Sequence, residues 1–301
     1  MNNLHLIHER LVHIQLFESS AEPCCSQLEN DFLFIGHHHD VYLYNCQNHD
    51  FSFQDSKRIQ DLDAADDIIA LEYIKETQTL IIVITNGFIV SCHDFPIGKF
   101  ILKSQIEGGC HQARWSPNLS LIAIVKDEGR IFIIDSYGLQ NEPLATIDIH
   151  KDQKSEYESK SVGWGKRDTQ FRGQGMRLDP SNSQASQGSQ IADYCDSDIN
   201  QIKVSWRYDS KYFAVSYFSE TYGRRLGVWS PDGVLYAMVK DQPGLYSVLS
   251  WAPTGYWITT AFKNEASYEI INYERNCLKR CSFKLDFVDP NDKVIFNLID
   301  Y

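Results

Sequence analysis

Apolar residues along this chain fall into short runs separated by tight polar turns, the pattern of an all-β protein rather than of amphipathic helices. One phrase recurs. Lys203-Val204-Ser205-Trp206 leads through Asp209-Ser210 into Tyr212-Phe213-Ala214-Val215, and Val248-Leu249-Ser250-Trp251 leads through Pro253-Thr254-Gly255 into Tyr256-Trp257-Ile258-Thr259-Thr260. The two tryptophans are 45 residues apart, the period of a four-stranded propeller blade. An earlier copy runs from Ala113 through Trp115 to Val125, and a weaker one from Ala70 to Val83 has Tyr73 at the tryptophan position. Trp115 and Trp206 are 91 residues apart, close to two periods, so one missing or disguised unit is expected between them. The pattern predicts a WD-type β-propeller of six to seven blades, with Trp115, Trp206 and Trp251 as structural repeat residues.

Taken in order, Leu4 to Phe17 reads as a first strand, and Phe32–Gly36 and Val41–Tyr44 as a pair around a turn holding His37-His38-His39. Consecutive strand residues point to opposite faces, so these imidazoles read as turn residues rather than as a metal site. Asn48 to Asp67 is polar and acidic and reads as a solvated loop, because its carboxylates lack the register of a calcium loop. Leu80–Thr85 and Phe88–Ser91 flank Asn86-Gly87, a two-residue hairpin signal. Leu121–Val125, Ile131–Asp135 and Leu144–Ile149 are further strands, followed by a polar, Ser- and Gln-rich insertion over about 151–199 that cannot build a core. Beyond it, Arg225–Trp229 turns through Ser230-Pro231-Asp232-Gly233, and Tyr268–Tyr273 turns through Glu274-Arg275-Asn276-Cys277 into Leu278–Leu285. Cys277 and Cys281 lack further zinc-type ligands and read as turn and strand residues. Val294–Ile299 starts another blade, so residues 1–301 read as one propeller domain, incomplete at the C-terminus.

Within the insertion, Ser161-Val162-Gly163-Trp164-Gly165-Lys166-Arg167-Asp168-Thr169-Gln170-Phe171-Arg172 is not linker composition. Two readings stand: strands of the disguised blade with Trp164 in its core, or a contact strip in which Lys166, Arg167 and Arg172 flank Trp164 and Phe171 as anchors for a partner or RNA. A net charge of -12 opposes a broad phosphate-binding face. The eight cysteines lack disulfide-framework spacing and read as reduced thiols of a cytosolic protein, with no secretory leader or membrane-spanning run. There is no phosphate loop, zinc-protease pair, nucleophile elbow or Cys-x-x-Cys pair, so no enzyme, cofactor or metal is expected.

Val162-Gly163-Trp164-Gly165-Lys166 with Asp168-Thr169-Gln170-Phe171, Val204-Ser205-Trp206-Arg207 with Tyr212–Ser216, Leu249-Ser250-Trp251 with Pro253 and Gly255, and Tyr273-Glu274-Arg275-Asn276 with Leu278 together resemble the N-terminal propeller of the Elongator subunit 1 family. The good match spans about 110–300. Cys277 stands where that family usually has Gly, Arg172 where His is common, and the family's second propeller, helical repeats and dimerisation region are absent. The resemblance implies a non-catalytic scaffold subunit of the Elongator complex, supporting wobble-uridine modification of tRNA through protein–protein contacts. Its implied partners are other Elongator subunits, among them a second propeller subunit and a catalytic radical-SAM/acetyltransferase-like subunit, with tRNA reached indirectly through the complex. The implied location is the cytoplasm, with the nucleus as a second compartment. Two alternatives stand beside it: a tRNA-contacting module using Lys166, Arg167, Arg172 and Arg177, and an unrelated WD-type interaction domain.

Overall fold

The computed structural model describes residues 25–29, 31–46, 52–126, 129–139, 142–151, 201–239, 244–263 and 267–285. Among them, twenty strands form five four-stranded antiparallel sheets, each a meander of strands in chain order. Sheet 1 holds β1 (Cys25–Glu29), β2 (Phe32–His37), β3 (Asp40–Asn45) and β4 (Ser52–Arg58). Sheet 2 holds β5 (Ile68–Ile74), β6 (Thr79–Ile84), β7 (Phe88–His93) and β8 (Phe100–Gln105). Sheet 3 holds β9 (Cys110–Trp115), β10 (Leu121–Lys126), β11 (Arg130–Asp135) and β12 (Ala145–Asp148). Sheet 4 holds β13 (Lys203–Trp206), β14 (Phe213–Ser219), β15 (Gly223–Trp229) and β16 (Leu235–Met238), and sheet 5 holds β17 (Leu245–Trp251), β18 (Trp257–Lys263), β19 (Tyr268–Glu274) and β20 (Lys279–Lys284). The chain divides into two compact units, residues 1–113 with 139–141, and 114–138 with 142–301, the boundary falling inside β9.

In sheets 2, 3 and 4 the second strand is largely apolar on both sides because both sides are buried. β6, β10 and β14 are almost continuously buried, which explains runs such as Leu80-Ile81-Ile82-Val83-Ile84 that show no alternation. In the first unit, sheets 1 and 2 share a core built on Phe34, Val41, Leu71, Leu80 and Ile82. In the second, Ile133 and Ile147 of sheet 3 pack with Trp206, Phe213 and Trp229 of sheet 4, whose other side meets Trp251, Ile258 and Tyr273 of sheet 5.

Two expectations change. Asn48–Asp67 is not simply a loop, since Ser52–Arg58 is the outermost strand of sheet 1. This strand buries almost no side chain, so its sequence reads as polar while backbone pairing with β3 holds it; β20 is likewise exposed throughout. The Asn86-Gly87 hairpin has a three-residue loop, Thr85 to Gly87: Gly87 N–H closes a turn on Ile84 O at 2.9 Å, and its φ of 87° is the left-handed backbone such a loop takes at its last residue. Finally, among the described residues no sheet stands between those of Trp115 and Trp206: sheet 3 packs directly on sheet 4, and the indole Nε1 of Trp206 donates to Arg114 O at 3.1 Å. The residues read as a disguised blade, within 152–200, lie outside the described residues. Of the six to seven expected blades, five sheets lie among the described residues, while Leu4–Phe17 and Val294–Ile299 lie outside them.

The turn after each repeat tryptophan is built identically. Leu119, Ser210 and Gly255 occupy the same repeat position with φ of 57°, 59° and 71°, and their N–H groups close on Ser116, Arg207 and Ala252 carbonyls at 2.7–2.9 Å. Only the third copy uses the residue that takes this backbone without strain.

Candidate functional site

Trp164, Lys166, Arg167, Phe171, Arg172 and Arg177 lie outside the described residues. The repeat tryptophans are described. Trp206 and Trp251 are buried, Trp206 against Phe213 at 4.9 Å between ring centroids, and Trp251 Nε1 donates to Gly255 O at 3.2 Å. Trp115 is half-buried and its Nε1 donates to Ser136 Oγ at 3.2 Å. Each of the three indoles thus satisfies its single donor, and those of Trp206 and Trp251 also bury their rings.

The three histidines sit at the β2–β3 turn. His38, at φ 49°, places Nδ1 2.6 Å from Asp67 Oδ1. His37 is buried, and desolvation, with His38 adding, holds its pKa below the ordinary imidazole value. Among the described residues no group of three or more His, Cys, Asp or Glu side chains could hold a metal ion, and no helix is long and apolar enough to cross a membrane.

A different array stands out in the second unit, at the end of the sheets where first strands turn into second and third into fourth. In sheet 4 the first of these turns carries Arg207 and Tyr208 and leads into Tyr212, while the last leads into Tyr236; in sheet 5 the last turn carries Arg275. Tyr212 and Tyr236 rings lie 5.1 Å apart, and the Arg275 guanidinium lies over both, 5.1 and 5.0 Å from their centroids. Arg207 lies over Tyr208 and Tyr212 at 5.6 and 5.8 Å, a continuous run of cation–π contacts. Its Nε is buried without a hydrogen bond, with Asp209 Oδ1 3.7 Å away, beyond hydrogen-bonding distance.

Small residues shape this end. A Cβ on Gly255 would stand 2.4 Å from Tyr208 Cε1, so the bare glycine backbone seats the Tyr208 ring. Tyr208 nonetheless remains 55% exposed and Tyr256, the residue after Gly255, 67% exposed. Val234, Tyr137 and Leu144, in or beside the last turns of sheets 4 and 3, are also more than half exposed. Exposed aromatic and aliphatic side chains beside arginines held over rings make a surface suited to binding.

Sequence reading missed this array because its members come from separate turns, and only the packing of sheet 5 on sheet 4 brings Arg275 to Tyr212 and Tyr236. The available signal was the repeat register, which places Tyr208 and Pro253 at equivalent turn positions.

Five meandering four-stranded sheets, three of them ending the first strand on a repeat tryptophan, are of the β-propeller class. A family model described as the ELP1 first N-terminal beta-propeller matches residues 1–299, and this chain belongs to that family. Among curated proteins, Elongator complex protein 1 of Oryctolagus cuniculus is 25% identical over 75% of this chain and 16% of its own length. The Drosophila melanogaster protein of that name is 25% identical over 85% and 20%, and the Saccharomyces cerevisiae one 26% over 72% and 19%. The chain therefore spans about a fifth or less of the length of these relatives. Among solved structures, Kuenenia stuttgartiensis hydrazine synthase superposes with a TM-score of 0.55 at 12% identity, covering 93% of this chain and 71% of that one, a likeness of fold alone.

Proposed function

We propose that this chain is a non-catalytic, protein-binding scaffold of the Elongator complex, a single propeller of six to seven blades that supports tRNA wobble-uridine modification by holding other subunits. The observation that carries the reading is the family match over residues 1–299, joined by relatives named Elongator complex protein 1 from animals and fungi. The Arg–Tyr face of the second unit supports it, because arginine and tyrosine are the residues that anchor protein interfaces. The chemistry belongs to another subunit on this reading, and the place of work is the cytoplasm, with the nucleus as a second compartment.

The test is affinity purification of the tagged chain from its own cells, with co-purifying proteins identified by mass spectrometry. Recovery of the other Elongator subunits is the expected result. A well-folded chain that recovers none of them overturns the assignment.

A further inference from the structure

We infer that the Arg–Tyr face of the second unit docks a polypeptide segment presenting one carboxylate, an Asp or Glu side chain, beside an apolar residue. This deepens the scaffold reading and rests on it.

The first argument is the state of Arg275. Tyr212 and Tyr236 lie beneath its guanidinium, and among the described residues it has no hydrogen bond and no ion pair. Covering the faces of a guanidinium leaves its in-plane N–H groups as the means of recognition, and that fork matches a carboxylate in two parallel bonds. Held over two rings, the side chain also has less rotamer freedom to lose when a ligand arrives.

The second argument separates a peptide from a nucleic acid. Asp209 stands in the same turn as Arg207 and Lys211, Glu274 precedes Arg275, and the last turn of sheet 4 carries Asp232, so the surface is not a continuous cationic track for a phosphate backbone. Tyr212 and Tyr236 have guanidinium over their faces, and the two exposed rings, Tyr208 and Tyr256, make a short platform with no cationic track beside it for successive nucleotides. What remains open is one fork beside exposed Tyr208 and Tyr256, which offer apolar contact next to a single charge.

The experiment is site-specific photo-crosslinking in cells from p-benzoylphenylalanine placed at position 208, where the exposed ring on Gly255 tolerates an aromatic replacement. Crosslinked material is sequenced by mass spectrometry and probed for RNA. The expected product joins position 208 to a protein segment with Asp or Glu next to an apolar residue, and its yield falls about tenfold in Arg275→Gln. Arg275→Lys, which keeps the charge but loses the fork, falls nearly as far. Tyr256→Ser, an exposed change that leaves the core untouched, also lowers the yield, which separates docking from misfolding. Crosslinks to RNA, crosslinks to segments without a carboxylate, absence of any crosslink, or a yield indifferent to both Arg275→Gln and Tyr256→Ser overturns the inference. If Elongator subunits co-purify while any of those results holds, this inference fails and the scaffold reading stands. If none co-purifies but position 208 still captures a carboxylate-bearing segment in an Arg275-dependent way, the scaffold assignment fails and the docking chemistry is supported.

Discussion

The backbone N–H of Trp251 donates to Ser205 Oγ at 2.8 Å across 46 residues of chain. In the first unit the N–H of Tyr73 donates to Gln27 Oε1 at 2.5 Å, also across 46 residues. Both bonds run from the innermost strand of one sheet to a side chain on the innermost strand of the sheet before it. The innermost strand has a free edge, and a row of unpaired N–H groups there is costly if dry. A polar side chain from the neighbouring sheet fills that need, which gives Ser205 a role beyond spacing.

Ser205→Ala should therefore cost about 1–3 kcal/mol, the desolvation penalty of a buried donor left unpaired, although a methyl group fits the space. Urea unfolding of the variant checks this. An unchanged midpoint would mean that Trp251 N–H finds water or another acceptor once the hydroxyl is gone.

Cys277 closes its turn at a position that suits glycine. Its N–H bonds to Glu274 O at 2.8 Å with φ 61°, and Asn276 Oδ1 accepts Leu278 N–H at 3.1 Å. The Asn86-Gly87-Phe88 turn repeats this geometry, with Gly87 at φ 87° and Phe88 N–H on Asn86 Oδ1 at 2.9 Å. Left-handed backbone costs an ordinary residue about 1–2 kcal/mol. Removing the buried CH2–SH group costs about the same by area. Cys277→Gly should accordingly leave stability within about 1 kcal/mol, while β-branched Cys277→Val should lose on the order of 2–4 kcal/mol, since it is the worst choice for this φ. Thermal melts that rank Val above Gly would show that packing around the thiol outweighs the backbone.

The sequence made the tryptophan hairpins legible because their constraints are local: an apolar run, a turn, and a buried residue at a fixed offset. Trp206 pairs with Phe213 and Trp251 with Ile258 in the same register, seven residues on in each copy. The outermost strand β4 was not legible, because exposed side chains carry no periodic signal and backbone pairing has none to give. The Arg275–Tyr212–Tyr236 cluster was not legible for a different reason. Its members are distant in the chain and meet only when two sheets stack, while the Trp164 strip that did draw the eye lies outside the described residues.

Stability should fall in alkaline solution. Burial pushes the Cys277 thiol well above its ordinary value of 9.0, and burial, with Cys277 nearby, raises the Tyr273 phenol above 10.0. The folded state keeps both protons where the unfolded chain has lost them, so the unfolded state binds fewer protons and stability declines with rising pH. The contribution is complete below about pH 9 and is lost above it, by up to about 1.4 kcal/mol per pH unit for each group. Urea midpoints from about pH 8 to about pH 11 should drop, and less steeply in Cys277→Ala. Equal slopes in the two proteins would remove Cys277 from the account.

Gly227 is required by Trp229. The indole of Trp229 is 1% exposed in the core between sheets 3 and 4, and it lies back along β15 over Gly227, two residues earlier on the same face. A Cβ on Gly227 would stand 2.5 and 2.6 Å from Trp229 Cη2 and Cζ3, closer than any van der Waals contact allows. A rigid ring wedged among Tyr217, Phe213 and Ile133 cannot yield as a flexible side-chain tip would. Gly227→Ala should therefore destabilise by about 1–3 kcal/mol through overpacking, against the usual expectation that alanine improves a strand position held by glycine. The pairing variant Gly227→Ala with Trp229→Phe should recover part of that loss, since the smaller ring vacates the contested space, while Trp229→Phe alone leaves a cavity. A double-mutant cycle by chemical denaturation reads the coupling, and strict additivity of the two changes would show that the ring does not rest on Gly227.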